Sequence, residues 1–121
     1  MDSYQFERLT AWKKAKELAI AVYQLVAKFP QYEQFALCSQ LRRAIISVPS
    51  NIAEGTGRIS KKEKVHFLEI SYGSLMEAYC QLQIALELGY ITADEVNAVK
   101  PLFFETTRLI SGLRKGYMTN P

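Results

Sequence analysis

The feature that most restricts this chain is the recurrence of apolar residues at steps of three and four through four successive segments. That spacing lines one face of a 3.6-residue helix, whereas a half-buried strand alternates in twos, and no segment alternates in that way. The first segment, about residues 9–29, carries Leu9, Trp12, Ala15, Ala19, Val22, Val26 and Phe29, with Leu18 and Leu25 widening the stripe. Pro30 stops it, because proline has no N–H for the next turn and disfavours helix in the residue before it. The second, about 34–55, carries Leu37, Leu41, Ala44, Ile45, Val48 and Ile52. Pro49 lies inside it and costs a regular helix about 3 kcal/mol. The stripe resumes in register at Ile52 and Ala53, so the reading is a kink near Ser47 to Pro49 and not a break.

Gly55 and Gly57 are read as the stop of the second helix, since glycine accepts the left-handed conformation that closes a helix. Ser60-Lys61-Lys62-Glu63 has the form of a capping box, and Thr92-Ala93-Asp94-Glu95 repeats it after Gly89, which places the starts of a third helix (61–88) and a fourth (93–117). The third has two apolar lines. One is Leu68, Tyr72, Leu75, Tyr79, Leu82 and Leu86; the other is Phe67, Ile70, Ala78, Ala85 and Leu88. Two lines imply more neighbours than one antiparallel partner, or a second subunit. Gly73 and Ser74 in its middle suggest a close helix crossing. The fourth carries Val96, Val99, Phe103, Leu109, Ile110 and Leu113, with a loose tail expected from Gly116 onward. Four amphipathic helices joined by short turns predict an all-α protein, a single domain over 1–121 folded as an antiparallel up-down-up-down four-helix bundle.

Composition excludes several classes. A chain of 121 residues with 49% hydrophobic and 22% charged residues has enough apolar material for one core and does not resemble a disordered tail. No apolar run approaches the roughly 20 residues that span a bilayer, so no membrane partner is expected. The N-terminal stretch has no apolar core after a basic start, which makes the cytoplasm the expected location. Cys38 and Cys80 sit in apolar periodic segments and not in close-spaced pairs, so both are expected to be buried, reduced thiols.

The net charge of +3 is unevenly spread. Residues 40–64 hold Arg42, Arg43, Arg58, Lys61, Lys62 and Lys64 against Glu54 and Glu63, six cations to two acids, a net of +4 that leaves −1 for the rest. Three readings meet on the stretch from Gln40 to Glu69. In the structural one, Pro49, Asn51, Glu54, Gly55, Gly57, Ser60 and Glu63 shape a helix end, a turn and a helix start, with Asn51 and Glu54 bonded to neighbouring helices or turn amides. In the electrostatic one, the six cations contact RNA or DNA phosphates. In the enzymatic one, Glu63 and His66 form a Glu-x-x-His pair at the spacing of di-iron bundles. That site needs two such pairs, and the chain has one histidine. The same histidine is the only imidazole that could activate a serine or cysteine, so no catalytic residue, metal ligand or cofactor is assigned and His66 is expected at the surface.

The segment QLRRAIISVPSNIAEGTGRISKKEKVHFLEISYGSLMEA closely resembles the signature of the bacterial four-helix-bundle family of 23S rRNA intervening-sequence proteins. The resemblance extends upstream through Leu9, Trp12, Ala15, Tyr23, Phe29 and Pro30 and downstream through Leu88, Gly89 and Tyr90. It implies a four-helix bundle, a homopentameric ring and, through a related accessory protein of diversity-generating retroelements, a basic surface that contacts nucleic acid. The function expected from residues and resemblance together is that of a non-enzymatic, homo-oligomeric scaffold or adaptor, pentameric by resemblance, whose protein partner the sequence does not name. The alternative is an RNA- or DNA-binding accessory protein using Arg42 to Lys64.

Overall fold

A computed structural model describes residues 2–119, and within them the four helices are α1 (Thr10–Val26), α2 (Leu37–Thr56), α3 (Lys61–Glu87) and α4 (Ala93–Thr119). Two single 3-10 turns, Gln5–Arg8 and Gln31–Glu33, precede α1 and α2. At 1.5 Å per residue the longest helices reach roughly 40 Å. Each helix packs on two others, α1 on α2, α2 on α3, α3 on α4 and α4 back on α1, which closes an antiparallel four-helix bundle. The described residues contain no strand.

One contiguous core runs along the bundle axis. Leu18 and Val22 from α1, Leu41, Ile45 and Ile52 from α2, Leu68, Leu75 and Leu82 from α3, and Val96, Phe103 and Ile110 from α4 are all buried in it. These residues belong to the stripes read from the periodicity, so helix facing follows from spacing. Burying each is worth about 1.5 to 3 kcal/mol before chain entropy is subtracted.

The two predicted helix starts behave differently. At α4, the Glu95 N–H donates to Thr92 Oγ1 (3.1 Å) and the Thr92 N–H donates to Glu95 Oε1 (2.9 Å), a complete reciprocal box. At α3, the Glu63 N–H donates to Ser60 Oγ (3.1 Å), but the Glu63 carboxylate faces Arg58 (3.9 Å) instead of returning to Ser60.

Several boundaries shift for reasons visible in the contacts. Helix α1 ends at Val26, before Pro30, yet Phe29 remains buried beyond the helix and packs against the Tyr90 ring (5.5 Å between centroids). Helix α2 starts at Leu37, three residues later than expected, because the chain first makes the Gln31–Glu33 turn. Glu33 then serves as its cap: one carboxylate oxygen accepts the Leu37 N–H (3.3 Å) and the other accepts the Tyr90 hydroxyl proton (2.7 Å). That carboxylate ties the α1–α2 connection to the α3–α4 connection. Helix α2 continues unbroken through Pro49. Helix α4 runs on to Thr119, so the loose tail expected from Gly116 is helical as far as the described residues go; residues 120 and 121 lie outside them.

The glycines and one thiol correct the sequence reading. Gly57 closes α2 in right-handed geometry (φ −79°), and Gly55 lies within the helix; the only positive φ among the described residues is at Gly89 (φ +79°). Gly55 instead permits close approach. A Cβ there would stand 3.0 Å from the Phe67 Cβ and 3.3 Å from the Lys64 carbonyl, so α3 crosses the end of α2 where a side chain would obstruct it. The close crossing expected at Gly73 is absent within the chain, since a Cβ at Gly73 meets nothing within 4 Å. Cys38 is buried, as expected, and burial raises its thiol pKa; Cys80 is exposed, because its position on α3 points away from the core.

Candidate functional site

The six cations singled out in the sequence do not form one cluster. Arg42 and Arg43 lie in the first half of α2, about 15 residues from Arg58, or more than 20 Å along the helix axis. Arg42 is half-buried and donates to the Gln34 carbonyl (3.4 Å), which ties α2 to the turn before it. Arg43 is exposed beside Gln40, Ser47, Ser74 and Glu77 in a shallow groove between α2 and α3.

The other four gather at the α2–α3 turn. Arg58 is held between Glu54 (3.6 Å) and Glu63 (3.9 Å), with its guanidinium 4.7 Å over the Phe67 ring. Lys64 donates to the Thr56 carbonyl (3.0 Å), capping the open C-terminus of α2, and lies 5.6 Å from the centre of the Tyr117 ring. Lys61 and Lys62 are exposed and line an open groove of about 490 Å³ with Val65, His66, Glu69, Tyr117 and Met118. His66 is exposed, as the sequence suggested.

The polar residues of the same stretch bond locally, where Asn51 and Glu54 were expected to bond to neighbouring helices or turn amides. Asn51 Nδ2 donates to the Ser47 carbonyl and to Ser47 Oγ (both 2.8 Å), one turn back on α2. Glu54 pairs with Arg58 and is more than half exposed. The link between helices comes from serines instead. Ser74 Oγ donates to Ser47 Oγ (2.8 Å), and the fully buried Ser71 Oγ donates to the Val48 carbonyl (2.8 Å). Periodicity gives no hint of these bonds: Ser71 stands in the buried line between Leu68 and Leu75, and Ser47 and Ser74 are half-buried at its edge. Among the described residues no group of three or more His, Cys, Asp or Glu side chains is placed to hold a metal ion.

Apolar surface forms the second candidate feature. An open groove of about 490 Å³ runs between α1 and α2, lined by Ala19, Ile20, Tyr23, Ala27, Ile46 and Pro49, with Lys16 and Gln24 at its margin. On the far side of the bundle Ile70, Tyr72, Met76 and Ile84 of α3 are exposed, as is Phe104 of α4. Two loop residues project almost completely, Phe35 at 90% exposure and Ile59 at 98%. Sequence reasoning placed Tyr72 and Ile70 on packed lines; the structure turns both partly outward because α3 packs chiefly on α2 and α4.

The family model of the 23S rRNA-intervening sequence proteins matches residues 7–112, which takes in all of α1, α2 and α3 and most of α4. The chain belongs to the 23S rRNA-intervening sequence protein family. Among solved structures it is similar to a protein of unknown function from the S23 ribosomal protein family of Bacteroides thetaiotaomicron VPI-5482, with a TM-score of 0.77 and 20% sequence identity. The match covers 88% of this chain and 99% of that one, so the fold is shared nearly end to end. No curated protein matches the chain. Membership and fold therefore stand, and no helix among the described residues is long and apolar enough to cross a membrane.

Proposed function

We propose that this member of the intervening-sequence family is a non-enzymatic, cytoplasmic scaffold or adaptor that works as a homo-oligomer, a pentamer by its resemblance to known relatives. The observation that carries the reading is the amount of apolar side chain left uncovered on two sides of a bundle whose own core is complete. A monomer has no use for a groove lined by Ile20, Tyr23 and Ile46 opposite a helix exposing Ile70, Met76 and Ile84, whereas a subunit covers both. Light scattering at low micromolar concentration is expected to give a multiple of 13.8 kDa, five-fold for the pentamer. A particle of 13.8 kDa overturns self-association.

A second reading, an accessory protein that binds RNA, is favoured by Lys61 and Lys62 beside the Tyr117 ring in one open groove, with Arg58 close by on the same turn. Cations beside an aromatic ring suit a phosphate backbone with an unstacked base. Binding to a structured RNA that weakens steeply as salt rises supports this reading. Unchanged binding by a variant with Arg58, Lys61 and Lys62 all reversed to Glu overturns the site.

A further inference from the structure

The seam between α2 and α3 is polar where the groove between α1 and α2 is apolar. Gln40, Arg43 and Ser47 recur at steps of three and four on α2, and Ser74, Glu77 and Gln81 do the same on α3. Gln81 Nε2 donates to Gln40 Oε1 (3.3 Å) and Ser74 Oγ to Ser47 Oγ (2.8 Å), so two bonds between the antiparallel helices bracket Arg43 on one and Glu77 on the other. These two charges therefore stand at one height in an open groove of about 300 Å³, over the buried Ala44. They do not pair with each other. Arg43 has no hydrogen bond, ion pair or ring contact among the described residues, and Glu77 accepts only a long bond from Gln81 Nε2 (3.4 Å).

Gln81 fixes both walls of this groove from behind. It is 7% exposed, and its amide nitrogen reaches Gln40 and Glu77 while its carbonyl oxygen is buried with no donor. Burying a half-satisfied amide is unfavourable, and an apolar side chain of the same size would pack there without that cost. Ser47 Oγ accepts from Ser74 Oγ and from Asn51 Nδ2 (both 2.8 Å), which leaves its own proton to be donated. One Glu77 oxygen and the Gln40 amide nitrogen likewise have no partner among the described residues. The groove thus offers donors on the α2 side and a carboxylate on the α3 side, held in place by a buried amide.

Beyond the scaffold reading, and independently of it, we infer that this groove binds a free α-amino acid with a small side chain. The carboxylate seats on the Arg43 guanidinium, whose fork of donors matches two carboxylate oxygens, with the Ser47 hydroxyl and the Gln40 amide as further donors. The ammonium seats on Glu77. A ligand bearing only anionic groups, an RNA phosphate included, would set its charge beside the Glu77 carboxylate, and a purely cationic one would meet Arg43, whereas a zwitterion satisfies both. A groove of about 300 Å³ is at the small end of ligand sites, and Ala44 closes its floor, so glycine, alanine and serine fit while a larger side chain extends into solvent.

Isothermal titration calorimetry of the full chain with glycine, L-alanine and L-serine at millimolar concentration tests the site. All three are expected to give saturable heat, while propionate and propylamine, which each lack one of the two charges, give none. Arg43→Gln and Glu77→Gln remove one charged wall each; both residues are exposed, and circular dichroism checks that the variants fold. Each is expected to weaken binding by about 10- to 100-fold, as for a lost hydrogen bond to a charged group. No saturable heat from any of the three amino acids means that Arg43 and Glu77 are merely solvated or pair with one another, and overturns the site. Undiminished binding by either variant places the ligand elsewhere and overturns it as well. Binding of propionate or propylamine as tightly as alanine overturns the zwitterion. None of these outcomes bears on self-association, which light scattering reads separately.

Discussion

Replacing Gly55 with alanine isolates the tightest approach in the bundle. In an ordinary helix interior the change is favourable by about 0.5 to 1 kcal/mol, because alanine loses less backbone freedom on folding. Gly55 has helical geometry and is buried, so that gain applies. Against it stands the Phe67 Cβ at 3.0 Å and the Lys64 carbonyl at 3.3 Å from the new methyl. Both opposing atoms belong to or sit next to backbone and cannot rotate aside, so α3 must shift. Overpacking of this kind costs about 1 to 3 kcal/mol. The net expectation is a loss of about 1 to 2 kcal/mol, or a fall in Tm of roughly 3 to 8 °C for a chain of this size. Gly112→Ala on α4 is the control, because its Cβ meets nothing within 4 Å and should add about 0.5 to 1 kcal/mol of stability. Urea unfolding followed by circular dichroism at one fixed concentration, with m-values compared, measures both. If Gly55→Ala proves as stable as Gly112→Ala, the crossing does not require glycine and the argument from close approach is wrong.

Three further outcomes follow from local chemistry. Gly89→Ala is expected to cost about 1 kcal/mol by the same unfolding assay, since the residue sits at φ +79° where an L side chain is strained. The hydrogen bond from Lys28, then that from the Thr92 N–H, holds the Glu95 carboxyl below its ordinary value of 4.5. Its contribution is therefore present above that value and lost as pH falls through the lower folded one, so Glu95→Gln should flatten the acid limb of a stability-versus-pH curve. The bond that Tyr90 donates to the Glu33 carboxylate, with the Tyr32 hydroxyl beside it, raises the phenol well above its usual 10. The folded phenol keeps its proton where the unfolded one ionises, so stability should fall as pH rises beyond 10, and Tyr90→Phe should lessen that fall.

Helix number, facing and two helix starts were legible because they follow from local rules. Spacing at three and four put Leu18, Ile45, Leu75 and Ile110 in the core, and the side chains of Ser60 and Thr92 marked where α3 and α4 begin. What escaped the sequence depends on residues distant along the chain. Gly55 looked like a helix stop because the Phe67 Cβ that constrains it is twelve positions away, and Gly73 looked like a crossing because nothing local says that its side of α3 faces outward. The late start of α2 escaped because Glu33 is recruited by Tyr90, 57 residues on. The candidate site was legible as composition and not as arrangement. Six cations in one stretch suggested a patch, yet helix length separates Arg42 and Arg43 from the turn, and Arg58 and Lys64 are held by partners no pattern reveals.

The serines around Pro49 fix more than a contact. A slide of α3 along α2 by one turn, about 5.4 Å, would part the Ser71 hydroxyl from the Val48 carbonyl and Ser74 from Ser47. Apolar ridges alone tolerate such a slip, since one leucine replaces another, but a buried hydroxyl left without a partner costs about 1 to 3 kcal/mol. The bundle therefore has one vertical register, and the heights at which its outer residues stand are set from inside. Any contact made through those outer residues takes its geometry from two small hydroxyls that keep the pitch of one helix against another.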